Sequence, residues 1–137
     1  MKFIFVSHGD LAKSLLGSTQ MIVGEQQDAV AFGLYPKDDI SKLTEKIEKA
    51  VTEMGGEDII CFTDLFSGSP FNAVVSLMGK YPIYHITGMN LPLVLEAFML
   101  RLSEENDREA ICNKLLEQAP GTFIDVKKYL EENLGEE

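Results

Sequence analysis

Phe3-Ile4-Phe5-Val6-Ser7-His8-Gly9-Asp10-Leu11 is the stretch that decides the fold. A solid apolar run stops at a histidine and a glycine. Leu11, Leu15, Leu16 and Ile22 then recur at helical spacing. The pattern predicts a buried strand over about residues 2–7, a tight turn, and a helix from about Asp10 to Val23 that stops at Gly24. His8 then sits at the carboxyl end of a strand, beside a helix N-terminus. That edge is where open α/β sheets gather ligands, and a helix N-terminus favours an anion. From position alone two readings of His8 stand side by side: a chemical group, or a histidine that only bonds a loop carbonyl.

The same alternation continues. Ala29 to Tyr35 reads as a second strand, Asp38 or Asp39 caps a helix carrying Ile40, Leu43, Ile47 and Val51, and Asp58 to Thr63 is a third strand. Ser69 as cap and Pro70 in the first turn begin a helix with Phe71, Val74, Val75 and Met78 facing inward. Pro82 to Thr87 is a fourth strand. Asn90-Leu91-Pro92 opens a helix with Leu91, Leu95, Phe98 and Leu102 as its core stripe, and Ser103 is the candidate cap of a further helix with Ala110, Ile111, Leu115 and Leu116. Past Pro120-Gly121, Thr122 to Val126 is expected as a short last strand, followed by a helix-like tail ending in a solvated acidic segment, 131–137. Strands alternating with helices imply βαβ units. The expected fold is a three-layer α/β/α domain, mostly parallel in its central sheet, with four parallel strands plus a short antiparallel edge strand.

The chain has 137 residues, enough for one domain spanning 1–137, and a formal net charge of −10. Such acidity argues against nucleic acid and anionic membrane surfaces as partners. No apolar run approaches the ~20 residues of a membrane span, and the N-terminus lacks a signal-peptide pattern, so the expectation is a cytoplasmic protein without membrane insertion. Cys61 and Cys112 fall in apolar patterns and read as core fillers. Two histidines without ligand spacing predict no metal site, and no cofactor is expected. His85 lies inside the fourth strand and reads as a packed or edge histidine. Tyr81 and Tyr84 read as packing, and Met89 and Met99 as core.

Three strands end in polar loops: Ser7-His8-Gly9-Asp10, Thr63-Asp64 followed by Ser67-Gly68-Ser69-Pro70, and Thr87-Gly88-Met89-Asn90. In a parallel sheet they share one edge. If the first and third strands are neighbours, Asp64 meets His8 there. A carboxylate on one imidazole nitrogen fixes the tautomer and leaves the other nitrogen a free lone pair, which is what a nucleophilic histidine needs. Gly9 on one side, and Ser67, Gly68 and Ser69 on the other, are the candidate phosphoryl cradle. Two readings compete for these residues. Asp64 at a strand end also suits a loop cap or a receiver-type phosphoacceptor; the receiver needs an acidic pair after the first strand, where His8-Gly9-Asp10 stands. A binding module without catalysis is the other.

Four segments carry a family likeness: Phe5-Val6-Ser7-His8-Gly9, Met21-Ile22-Val23-Gly24-Glu25, Thr63-Asp64-Leu65-Phe66-Ser67-Gly68-Ser69-Pro70-Phe71-Asn72-Ala73, and Thr87-Gly88-Met89-Asn90-Leu91-Pro92. Together they resemble the enzyme IIA domain of the mannose/fructose/sorbose family of the bacterial phosphoenolpyruvate-dependent sugar phosphotransferase system (PTS), from residue 1 to about 126. The resemblance implies a phosphotransferase in which His8 takes phosphate from the phosphocarrier HPr on Nε2 and hands it to a histidine of a IIB component. Asp64 would orient His8 through Nδ1, and the Ser69 hydroxyl would lie near the phosphoryl group. It also implies a homodimer with an exchanged edge strand, for which 122–126 is the candidate, and indirect service to membrane IIC and IID components. The IIB domain is expected on a separate polypeptide. Ser67 departs from the second glycine common in the family. A phosphohistidine subunit serving a dihydroxyacetone kinase is the related alternative.

Overall fold

The computed structural model describes residues 1–134; the end of the expected acidic tail, 135–137, lies outside the described residues. Four strands, β1 (Lys2–His8), β2 (Ala29–Leu34), β3 (Ile59–Thr63) and β4 (Ile83–Thr87), form one sheet in the order β2-β1-β3-β4, parallel throughout. The helices are α1 (Leu11–Val23), α2 (Ile40–Glu53), α3 (Ser69–Met78), α4 (Leu91–Leu100), α5 (Arg108–Gln118) and α6 (Val126–Leu134). The expected three-layer α/β/α architecture is what forms.

The period-2 alternation of β1 divides the core. Ile4 and Val6 point to one face, with Ile59, Cys61 and Ile83, and are covered by Leu43, Ile47 and Val51 of α2 and by Ala73, Val74 and Leu77 of α3. Phe3 and Phe5 point to the other, with Ile60 and Phe62, under Ala12 of α1, Val94 and Phe98 of α4, and Ile111 and Leu115 of α5. Burial on both sides is why the central strands read as unbroken apolar runs. Cys61 is fully buried, and burial pushes its thiol up to about 12; half-buried Cys112 is raised to about 11 by the same cause.

Several helix faces differ from the expected stripes. In α1 the buried residues are Ala12 and Thr19, whereas Leu11 and Ile22 are exposed, because the helix approaches the sheet through its small side chains. In α3, Val75 and Met78 face outward. In α4, Val94, Ala97 and Phe98 form the stripe, Leu91 and Leu95 are half-buried, and Leu102 is 73% exposed. Met99 is likewise exposed, whereas Met89 is core. Asp39 caps α2 and Asn90 caps α4 as expected. Asp107, not Ser103, caps α5; the Ser103 hydroxyl instead accepts from Glu105 N and closes a turn.

The segment 122–126 is not a strand. Pro120 and Gly121 draw the chain into a 3-10 turn, Ala119–Thr122. The Thr122 hydroxyl locks it, donating to Ala119 O (2.7 Å) and accepting from Asn90 Nδ2 (3.0 Å). Asp125 then accepts from Lys128 N and starts α6. β4 therefore remains an edge of the sheet. Among the described residues, no helix is long and apolar enough to cross a membrane.

Candidate functional site

The site is built where β1 and β3, neighbours in the sheet, run out at the same edge. The last residue of β1 is His8, and Asp64 follows the last residue of β3. The Asp64 Oδ2 atom accepts twice from one residue, from the backbone N–H of His8 and from its Nδ1, each at 2.9 Å. A carboxylate only accepts, so Nδ1 carries the hydrogen and, in the neutral ring, Nε2 carries the lone pair. The His8 side chain is 51% exposed while that of Asp64 is only 10% exposed. Asp64 Oδ1 is buried with no hydrogen-bond partner. A carboxylate so enclosed and engaged is poorly placed to be a phosphoacceptor itself.

Gly68 closes the other side of the ring. A Cβ there would lie 3.3 Å from His8 Cε1 and 3.5 Å from Nε2, at a φ of +91°. Only a glycine lets the backbone lie against the Nε2 side without displacing the imidazole. Gly68 is also the N-cap residue of α3, with Pro70 in the first turn. Ser69, expected as the cap, is instead the first helical residue, and no side-chain cap bond forms. Its hydroxyl is left for another acceptor, beside a helix end that attracts anions. Ser67 adopts φ 106°, in the left-handed region that favours glycine, at a cost of about 1–3 kcal/mol.

The N–H of Gly9, a candidate for the phosphoryl cradle, donates to Leu34 O at 2.7 Å and is not free for an anion. The role of Gly9 is to turn the chain at φ 55°. Three supporting residues escaped the sequence reading. Ser7 is fully buried, and its hydroxyl accepts from Ala12 N at 2.7 Å, so it satisfies the start of α1. Gly33 of β2 leaves room for the turn, since a Cβ there would strike Gly9 O at 2.1 Å. A lone glycine inside an apolar strand was the available signal. Tyr35 donates its hydroxyl to Asp10 Oδ1.

Behind the loop stands a packed relay. Phe66 meets Phe71 edge-on (5.2 Å between centroids), and Phe71 lies 5.0 Å from the His85 ring. His85 Nε2 is 2.8 Å from Thr63 Oγ1, which in turn donates to Thr87 Oγ1 at 2.9 Å. The Thr63 proton is used there, so His85 donates from Nε2. Burial lowers His85 to about 4, which keeps it neutral. It is the packed histidine the sequence suggested. Among the described residues, no three His, Cys, Asp or Glu side chains are grouped to hold a metal.

A parallel α/β/α domain with a carboxylate-oriented, half-exposed histidine at its carboxyl edge is the class that fold and site define. The chain belongs to the mannose-type EIIA family: the family model described as the PTS system fructose IIA component matches residues 2–116. It is thus a component of a sugar phosphotransferase system. It is 35% identical over 97 residues to a sorbose-specific EIIA component of Lacticaseibacillus casei, covering 70% of each chain. It is 29% identical over 130 residues to a fructose-specific EIIA component of Bacillus subtilis, covering 93% of this chain and 88% of the relative. A phosphotransferase system component EIIA from Streptococcus agalactiae superposes with a TM-score of 0.84 at 25% identity, over 93% of this chain and 98% of the other. A mannose/sorbose-specific IIA subunit from Enterococcus faecalis superposes at 0.80 with 31% identity, over 90% and 92%.

Proposed function

We propose that this chain is, over its whole length, a single cytoplasmic IIA domain that carries phosphate on His8. HPr delivers the phosphoryl group to Nε2, and a histidine of a IIB component receives it during sugar uptake, with IIC and IID components in the membrane downstream. The observation that carries this reading is the paired 2.9 Å approach of Asp64 Oδ2 to the His8 N–H and Nδ1, with Nε2 turned toward Gly68.

The chemistry follows from that arrangement. The Nε2 lone pair attacks the phosphorus of phospho-HPr, an N–P bond forms, and the HPr nitrogen leaves with its electron pair. The imidazole ring becomes more positive as the bond forms. Asp64 stabilises that charge through Nδ1–H without moving a proton. The α3 N-terminus, Gly68 and the hydroxyls of Ser67 and Ser69 receive the phosphoryl oxygens. Both donor and acceptor are phosphohistidines, so the site needs only positioning and fixed dipoles. Leu65 and Phe66, exposed beside His8, offer an apolar rim for the partner to cover.

We further propose that the protein acts as a homodimer through its C-terminal segment. Phe123, Ile124, Val126, Tyr129, Leu130 and Leu134 are all exposed, next in the chain to a domain whose β4 edge is unpaired. Incubation with enzyme I, HPr and labelled phosphoenolpyruvate tests the carrier reading. Acid-labile, base-stable label on the peptide containing His8 is expected. Label absent, or retained in His8→Ala, overturns it.

A further inference from the structure

The sheet has two edges, and β2 forms the one on the far side of β1 from Asp64. Its pairing with β1 fixes which way its backbone points. The Phe3 N–H donates to Asp28 O and the Gly9 N–H to Leu34 O, with Phe3 opposite Ala29 and Ser7 opposite Gly33. In a parallel ladder of that register, Ala29, Ala31 and Gly33 turn their N–H and C=O groups away from β1. Among the described residues no further strand lies beyond them. An open row of this kind is a template for an extended chain. Side chains alternate with the same period, so Val30 and Phe32 lean toward α2.

A groove rich in lysine runs beside this edge. Val30, Phe32 and Ala50 line one part of it, about 220 Å³, together with Lys46, Lys49 and Glu53. Lys46 also borders the part nearer the carboxyl edge, about 190 Å³, with Gly33, Lys37, Lys42, Asp38 and Asp39. Lys42, Lys46 and Lys49 follow helical spacing on α2 and share one face. Four of the 12 Lys and Arg residues in a chain of net charge −10 thus line one groove. Among the described residues Lys37, Lys42 and Lys46 form no salt bridge, and Lys49 reaches Glu53 only at 3.9 Å. The two aspartates are tied to backbone: Asp38 Oδ2 accepts from Tyr35 N and Asp39 Oδ1 from Ser41 N.

We propose that the β2 edge is a docking site for an extended acidic segment of a partner protein, which adds to the sheet as a strand and sets its carboxylates against Lys37, Lys42, Lys46 and Lys49. Main-chain bonds to Ala29, Ala31 and Gly33 hold the segment, and Val30 and Phe32 give its apolar side chains a floor. The lysines choose the occupant. Pairing β2 with the β2 of a second copy would bring two lysine rims together, which is unfavourable, whereas carboxylates meet ammonium groups that lack partners. The seat is separate from the transfer face. β1 stands between β2 and β3, and His8 Nε2 lies on the Gly68 side. A segment bound along β2 keeps its protein beside the site and leaves His8 open. The inference does not rest on the carrier reading.

The test uses the full-length chain and a synthetic peptide, acetyl-Glu-Val-Glu-Val-Glu-Val-Glu-amide, followed by 1H–15N NMR and amide exchange. Saturable shifts at Ala29, Ala31 and Gly33 are expected, with exchange of those amides slowed about tenfold or more by main-chain pairing. Raising salt from about 50 mM to about 500 mM should weaken binding about tenfold. Lys42→Glu/Lys46→Glu should weaken it by about as much, and since both positions are exposed its melting temperature should match the parent. The peptide with lysine in place of glutamate should not bind, and the amides of Asp64 and Gly68 should stay in place. No saturable shift at millimolar peptide, equal binding of the lysine peptide, or unchanged binding by the double variant overturns the inference. Shifts confined to the β4 edge, or shifts of Asp64 and Gly68 in step with β2, overturn it by placing the peptide elsewhere. Self-association of Lys42→Gln/Lys46→Gln in a chain that binds no peptide also overturns it, and would make the lysines guards of a bare edge.

Discussion

Replacing Asp64 by asparagine separates the site's chemistry from its packing. The asparagine fits the space of the aspartate and keeps an oxygen for the His8 N–H and Nδ1–H, so the 2.9 Å contacts have a neutral replacement. What disappears is the negative charge facing the ring while that ring acquires positive character. A hydrogen bond to a charged partner is worth about 1.5–3 kcal/mol. Loss of that stabilisation from the transition state slows transfer about 10- to 150-fold. Stability should move the other way or stay put. Asp64 Oδ1 is buried without a partner, so the native carboxylate bears uncompensated desolvation that a neutral amide relieves in part. The assay is single-turnover phosphorylation by phospho-HPr in a rapid-quench instrument, run beside urea unfolding of the same samples. Slow transfer with an unchanged or higher unfolding midpoint is the expected pair of results. A rate within threefold of the parent, or a loss of stability that parallels the loss of rate, would refute the reasoning.

Other outcomes follow from neighbouring geometry. Gly68→Ala places a methyl 3.3 Å from His8 Cε1 at a positive φ, and should cut phosphoryl acceptance by about tenfold or more in a labelling assay, since the imidazole is pinned by Asp64 and cannot retreat. Ser67→Gly relieves the φ of 106° and should raise the unfolding free energy by about 0.5–1 kcal/mol in urea titrations, the gain being offset in part by a floppier unfolded chain. His85, lowered by burial to about 4, leaves the unfolded state holding more protons between that value and 6.5, so stability falls as pH drops through this window. Partial exposure of the ring reduces the loss to about 1–2 kcal/mol; thermal melts from pH 7 to pH 4 should show it, and His85→Gln should flatten that slope. Ile124→Asp with Leu130→Asp should convert a dimer to monomer in sedimentation without lowering the melting temperature of the domain, because both side chains are exposed in the single chain.

The strands were legible because burial on both faces leaves no polar residue in Ile59–Phe62 or Phe3–Val6. Helix phase was less so. In α1 the largest apolar residues are not the most buried ones, since Ala12 sits against the sheet while Leu11 looks outward; in α3 Ala73, Val74 and Leu77 face the sheet while Val75 and Met78 look outward. The stretch 122–126 has strand-like composition, but a proline, a threonine-locked turn and the Asp125 cap decide its backbone instead. At the site, His8 and Asp64 could be found because strand ends in a parallel sheet share an edge. Ser7 and Tyr35 could not, and Gly33 showed only as a lone glycine inside an apolar strand. Their importance lies in what approaches them from elsewhere in the chain, and nothing in their own neighbourhood encodes a carbonyl 2.1 Å from an absent methyl.

The account stands on Asp64 holding Nδ1 so that Nε2 alone is free to bond phosphorus. Long-range 1H–15N spectra of the phosphorylated protein, with 15N-labelled histidine, read that bond directly. Phosphorus coupled to Nε2 of His8, with Nδ1 still protonated against Asp64, is the predicted result; phosphorus on Nδ1 of His8, on His85, or on an oxygen of Asp64 or Ser69 would contradict it.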